Sequence, residues 1–303
     1  MLRHVFIHLS ENKRLRTWME TSRLSGGLTR RFVAGHTLDD AMKVCRKLHG
    51  ERLSATIDQL GESVTTTAEA ARFRASIEEI YHAIAGSGLP LTVSIKLTQL
   101  GLGLSTELCA ANTALLADMA ASQDSRLEID MESSDYVDRT LGIVEEMHQQ
   151  YRRVRCVLQA YLYRTEKDLQ RMNRRGVPVR LCKGAYDEPA AVAYSEKSQV
   201  DENYLRLARM LMAEGAFPAI ATHDPKMIEG ALASARETGR KAEDFEFQML
   251  YGVRRDLQTK LAAQGYGVRL YVPYGDAWYP YFMRRLAERP ANVVFIAKNL
   301  LRA

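Results

Sequence analysis

Eight short, largely apolar runs recur along the 303-residue chain, most of them followed by a stretch with helical spacing. Few architectures satisfy that alternation, because strand, helix and next strand together make a parallel unit of one hand. The runs are 53–58 (LSATID), 91–97 (LTVSIKL), 126–131 (RLEIDM), 154–160 (VRCVLQA), 177–182 (VPVRLC), 218–222 (PAIAT), 245–250 (FEFQML) and 268–273 (VRLYVP). They are brief, β-branched or aromatic, and largely apolar on both faces, as expected of strands with helices on one side and a core on the other. Eight such units predict an α/β fold, a (β/α)8 TIM-like barrel in preference to an open doubly wound sheet.

The stretches between the runs carry helix signals of their own. Thr66 with Glu69 makes a capping box ahead of Phe73, Ile77, Ile80 and Ile84, which repeat at helical spacing. Asp224 followed by Pro225 reads as an N-cap with proline in the first turn, and Gly239 as a stop. Gly176 and Gly265 close amphipathic segments just before the next strand, and a last helix is expected over 276–288. Residues 1–50 precede the first strand, hold Trp18 and many arginines, and read as an N-terminal helical arm on a barrel of residues 51–303.

Composition narrows the function classes. A 46% apolar and 26% charged chain has the make-up of a soluble globular protein. The net charge of +5 comes from arginines spread along the chain with no basic tail, so no nucleic-acid partner is expected. Cys45, Cys109, Cys156 and Cys182 show no CxxC spacing, which argues against a metal site and for reduced thiols in a cytoplasmic protein. Neither a secretory signal nor a run of about 18 uncharged apolar residues is evident, so any membrane contact is expected to be peripheral.

In a barrel of this kind the chemistry sits where the strands end. Asp58, Lys96, Asp130, Gln159, Tyr161, Arg180, Lys183, Tyr186, Thr222, His223, Gln248 and Tyr271 fall at or near those ends. Such a ring is rich in cations and donors and suits an anionic ligand and an anionic cofactor. Each member also has a plainer explanation: a strand-end lysine snorkels, a buried aspartate satisfies backbone N–H groups, and Asp224 caps a helix. The segment YFMRRLAE (281–288) places Tyr281, Arg284, Arg285 and Glu288 on adjacent faces of one helix. Two guanidinium groups side by side can hold a carboxylate through paired hydrogen bonds, with Glu288 one turn on to receive an ammonium. On an average helix the same residues are a solvated salt-bridge face. Neither Gly86-Ser-Gly88 nor Gly101-Leu-Gly103 completes a GxGxxG turn, so a dinucleotide would have to bind in another way.

Four motifs, VRLCKGAY (179–186), ATHD (221–224), FEFQMLYG (245–252) and YFMRRLAE (281–288), resemble those of the proline dehydrogenase family. IDQLGE (57–62), SIKLTQLG (94–101), EIDME (128–132) and VLQAYLYRT (157–165) add to the likeness in the family's order, and RRFVAG (30–35) resembles the arm of single-function bacterial members. The resemblance implies a distorted (β/α)8 barrel that binds FAD at its strand ends. It implies that Arg284, Arg285 and Lys96 hold the substrate carboxylate, that Glu288 lies by the amine, and that Asp130 orients the arginine cluster. Tyr186, Leu250 and Tyr271 would pack around the pyrrolidine ring. Arg180 would sit near flavin N5, with Gln159, Lys183, Gly184, Ala185, Thr222 and His223 along the cofactor; Cys182, beside them, stands where an aliphatic residue is usual.

The reaction implied is hydride transfer from C5 of L-proline to flavin N5, giving Δ1-pyrroline-5-carboxylate. A membrane quinone would then accept the electrons, so the protein would be cytoplasmic with peripheral contact to the inner membrane. A separate pyrroline-5-carboxylate dehydrogenase would perform the next oxidation, since no aldehyde dehydrogenase domain is expected in this chain. Two rivals stand beside this reading: a Schiff-base aldolase using Lys96 or Lys183, and a basic RNA- or lipid-binding domain.

Overall fold

The computed structural model describes residues 31–61 and 63–288, with side chains as far as Met283. All eight runs form strands, each within two residues of the expected bounds. They are β1 (Ser54–Gln59), β2 (Thr92–Lys96), β3 (Leu127–Asp130), β4 (Val154–Gln159), β5 (Val179–Cys182), β6 (Ala219–Ala221), β7 (Glu246–Leu250) and β8 (Gly267–Tyr274). Each pairs in parallel with the next, and β8 closes on β1 through a register that runs from Ser54 opposite Arg269 to Gln59 opposite Tyr274. Closure leaves no free sheet edge.

Helix α1 (Leu38–Gly50) precedes the barrel. Helices α2 (Thr67–Ala85), α3 (Thr106–Ser122), α4 (Val137–Tyr151), α5 (Thr165–Arg174), α6 (Lys197–Glu214), α7 (Pro225–Glu237), α8 (Arg255–Ala263) and α9 (Trp278–Glu288) follow the strands in turn. The local signals act as expected. Thr66 and Glu69 form the capping box of α2, and Asp224 accepts the Lys226 amide at the start of α7 with Pro225 in its first turn. A cap of this kind contributes about 1 kcal/mol. Among the described residues no helix is long and apolar enough to cross a membrane.

The strands differ from the sequence reading in one respect: they are apolar on one face only. Outward residues such as Ile57, Val93, Ile95, Ile129, Leu181, Phe247 and Leu270 join the helices in the main core. The inward face is polar. Glu128 on β3 accepts from Gln248 on β7 at 3.3 Å and from Arg180 on β5 at 2.6 Å, contacts that only the barrel interior allows between strands so far apart in the sheet. Arg155, fully buried, pairs with Glu128 at 3.2 Å and with Glu246 at 2.5 Å, and Arg269 reaches Glu246 at 3.1 Å. Burial alone would push both glutamates up, but the surrounding guanidinium groups outweigh it and hold them well below the usual carboxylate range. An interior of this kind depends on each buried charge meeting an opposite one, since a buried charge without its partner is costly.

Candidate active site

At the carboxyl ends of the strands this ion-pair column surfaces as a compact cluster. Asp130, the last residue of β3, stands opposite Lys96 at the end of β2. Its carboxylate accepts from the Tyr271 hydroxyl at 2.7 Å, from Ser94 at 2.8 Å and from Arg180 Nη1 at 3.0 Å, with Lys96 Nζ at 3.4 Å. Burial opposes ionisation, but Arg180, Lys96 and the two hydroxyls leave Asp130 below the ordinary aspartate range. Lys96 Nζ also lies 3.3 Å from Asp58, which is buried and pushed upward by that burial. Burial would likewise lower the Lys96 ammonium, yet Asp58 and Asp130 together hold it above its ordinary value. A Schiff-base nucleophile must be a neutral amine, so this environment opposes the aldolase reading of Lys96. Lys183 is likewise engaged, in ion pairs to Asp201 and to Asp224 at 2.9 Å.

Tyr271 occupies the middle of the cluster: its hydroxyl lies 3.5 Å from Lys96 Nζ, and the Arg180 guanidinium sits 5.5 Å from its ring centroid. Arg180 is tied below by Glu128 and above by Asp130, so its guanidinium plane has little freedom. Its Nε is buried and has no partner among the described residues.

The remaining positions form a second arc from β4 to β7. Gln159, buried, donates to the Glu132 carbonyl at 2.9 Å, and Cys182 lies opposite it in register. Burial raises the Cys182 thiol to about 12, so it behaves as a small apolar residue. Gly184 has φ +123°, and a Cβ there would stand 2.2 Å from the Tyr161 ring. Ala185 and Tyr186 follow on the exposed part of the same loop, Tyr186 close enough to Lys96 to raise it electrostatically. The Thr222 amide donates to the Gln248 carbonyl at 3.2 Å, and its hydroxyl accepts from Asp224 N at 3.1 Å. His223 Nε2 accepts from the Leu250 amide at 2.9 Å, which places the proton of the neutral ring on Nδ1.

Lys96, Asp130, Arg180 and Tyr271 therefore meet directly, while Gln159, Cys182, Lys183, Gly184, Ala185, Tyr186, Thr222, His223 and Leu250 line the neighbouring strand ends. Arg284, Arg285 and Glu288 fall on the last turns of α9, and their side chains lie outside the described residues. Sequence reasoning missed Glu128 and Asp201. The first had a signal in its period-two partnership with Asp130 (EID); the second, on α6, had none.

The proline dehydrogenase family model matches residues 41–298. The chain belongs to the proline dehydrogenase family. It is 41% identical over 302 residues to proline dehydrogenase 1 of Bacillus subtilis, covering all of both chains. It is 37% identical over 282 residues to the proline dehydrogenase of Deinococcus radiodurans, covering 91% of this chain and 90% of that one. Its backbone also superposes on proline utilization A of Bdellovibrio bacteriovorus with a TM-score of 0.82 at 24% identity, over 95% of this chain and 36% of that one, which supports the barrel fold.

A flavin suits this family site on physical grounds. An aromatic heterocycle with polar edges needs donors at the strand ends, and the buried, unmatched Nε of Arg180 is one. On the loop after β5, Lys183 is held between Asp201 and Asp224, and Gly184 at φ +123° lets the backbone pass close to the Tyr161 ring.

Proposed function

We propose that the protein oxidises L-proline to Δ1-pyrroline-5-carboxylate with FAD, and that a membrane quinone takes the electrons onward. The observation that carries this reading is the joint hold of Asp130 on Lys96, Tyr271 and Arg180 at the barrel mouth. In this reading the Lys96 ammonium and the Tyr271 phenol face the substrate, and the neighbouring Arg180 guanidinium faces the cofactor. In this reading Lys96, with Arg284 and Arg285, receives the substrate carboxylate; Tyr186, Leu250 and Tyr271 enclose the ring; Glu288 lies by the amine. Arg180, Gln159, Cys182, Lys183, Gly184, Ala185, Thr222 and His223 hold the cofactor. When bound, FAD supplies the acceptor for the hydride that leaves C5.

The chain's own contribution is orientation and electrostatics. Lys96 stays protonated because two carboxylates flank it, so it presents a permanent positive charge to a carboxylate. The amine must be neutral before a hydride can leave, and a desolvated pocket rich in cations lowers an amine's pKa. Holding the ring in one pose replaces a bimolecular encounter with a positioned one. The net charge of +5 and the lack of a spanning helix among the described residues suit a cytoplasmic protein that meets an anionic membrane surface peripherally. A separate pyrroline-5-carboxylate dehydrogenase would consume the product.

The test is an absorption spectrum of the purified protein followed by anaerobic addition of L-proline. A flavin band near ~450 nm that bleaches with L-proline is the expected result. A band indifferent to L-proline would remove the substrate assignment, and a protein that binds no FAD on reconstitution would remove the reading altogether.

A further inference from the structure

Helix α9 carries its own hydrophobic cluster, separate from the main core: Trp278, Tyr279, Tyr281, Phe282 and Met283 pack with Val253, Leu60 and Leu250. The remaining members of that cluster come from the far end of the chain. Phe32 and Val33 are 2% and 3% exposed, and the Phe32 ring lies 6.1 Å from that of Phe282. The backbone of the same segment is bonded to the top of β8 and the turn beyond it. The Ala34 amide donates to the Pro273 carbonyl at 2.8 Å, and the Gly275 amide donates to the Gly35 carbonyl at 3.0 Å. His36 Nδ1 pairs with Asp276 at 2.9 Å. On the other side, the β7–α8 turn comes so close that a Cβ on Gly252, at φ +75°, would stand 1.6 Å from the Arg31 carbonyl oxygen. Residues 31–36 thus lie across the carboxyl end of the barrel as a strap. They touch the β8–α9 turn and the β7–α8 turn, and their Phe32 and Val33 pack on the apolar face of α9.

We infer that residues 31–36 are a positioning strap for α9 and that Phe32 is its anchor, setting the helix whose last turns carry Arg284, Arg285 and Glu288. The physical reason is the division of the core. The barrel helices share one continuous apolar cluster, so each is fixed by many neighbours. The apolar face of α9 shares its own cluster with Leu60, Val253, the end of β7 at Leu250 and the strap. Removing the Phe32 ring leaves Phe282 without its partner on that side, and a helix with fewer packed neighbours samples more orientations. A carboxylate held by two guanidinium groups tolerates little misplacement. The strap therefore acts on substrate affinity and not on the barrel interior, where Arg180 is tied by Glu128 and Asp130. This inference rests on the proposed reading that Arg284 and Arg285 meet the substrate carboxylate.

The experiment uses the full chain, reconstituted with FAD, in a Trp18→Phe background so that Trp278 is the sole tryptophan. Anaerobic titration with L-proline gives the affinity and the limiting rate of flavin bleaching; acrylamide quenching of Trp278 reports on α9 without using activity. Phe32→Ala should weaken L-proline binding about tenfold, change the limiting rate no more than about threefold, keep a full complement of flavin, and make Trp278 more quenchable. Phe32→Leu, which refills much of the space, should restore both affinity and protection. Unchanged affinity in Phe32→Ala, or a loss confined to the limiting rate, would overturn the inference, and so would a Trp278 signal identical to the parent's. If the parent itself does not bleach with L-proline, the reading of the site has failed, and Trp278 quenching alone decides whether the strap positions α9. Should Phe32→Ala fail to fold, Val33→Ala is measured in its place against the same outcomes.

Discussion

Asp130→Asn removes one charge and keeps the side chain's size, so it isolates what the carboxylate does. Four donors converge on Asp130: Tyr271 at 2.7 Å, Ser94 at 2.8 Å, Arg180 at 3.0 Å and Lys96 at 3.4 Å. An asparagine amide can accept from some of these but presents its own N–H groups to the others, and it no longer neutralises Lys96 or Arg180. Breaking a buried pair costs about 3–5 kcal/mol. The Asp130 and Lys96 side chains keep 14% and 24% of their exposure, so the lower end applies, about 3 kcal/mol. At roughly 2 °C per kcal/mol for a large domain, Tm should fall by about 6 °C. Lys96 retains Asp58 and Arg180 retains Glu128, so both stay near their places, each short of one charge-assisted bond of about 1.5 kcal/mol. Stopped-flow bleaching of the flavin by L-proline should therefore slow by about tenfold to hundredfold. The sign of the pH effect follows from the same geometry. Asp130 has a folded pKa below its unfolded value, so its stabilisation is present above about pH 4 and is lost as pH falls through the depressed folded value. Asp130→Asn should lose less stability than the parent over that acid range. A variant with the parent's Tm, bleaching rate and acid limb would refute the role assigned to this carboxylate.

Two further outcomes follow. Gly184→Ala forces a Cβ to within 2.2 Å of the Tyr161 ring at a φ of +123°, a strain of about 1–3 kcal/mol in the loop assigned to the cofactor; the ratio of flavin to protein absorbance should drop well below the parent's, and an unchanged ratio would separate this loop from the cofactor. Burial raises the thiols of Cys45, Cys109 and Cys182 to about 12, so an unfolded chain sheds those protons first as pH climbs past about 9. Their stabilisation is full below the unfolded thiol pKa and declines as pH rises toward the folded one. Tm should therefore fall between pH 8.5 and about 10.5, and a flat profile would contradict the burial of these groups.

Much of the architecture was legible in the chain because it rests on short-range physics. Strand length, helix period and the Thr66–Glu69 and Asp224–Pro225 caps are set by neighbours within a few residues, and eight parallel units leave few ways to close. The strand-end residues were legible for the same reason: once the strands are placed, Lys96, Asp130, Arg180 and Tyr271 fall at their ends by counting. The polar inside of the barrel was misjudged. Thr56 with Asp58, Thr92 with Ser94 and Lys96, Glu128 with Asp130, Glu246 with Gln248, and Arg269 with Tyr271 alternate with apolar neighbours, the period-two mark of a strand whose two faces differ. That mark is easily lost in strands of four to eight residues.

What no local pattern holds is who meets whom. That Glu128 serves Arg180 from below, that Asp201 on α6 takes Lys183, and that Phe32 comes to rest on Phe282 are pairings across 52, 18 and 250 positions of sequence. The amino-acid sequence by itself determined the eight strands, their caps and the residue types offered at the barrel mouth, because those depend on propensity and spacing alone. Only the closed barrel decided which of those charges neutralise one another, since pairing energies depend on distance and burial, and both come into being when the first strand meets the last.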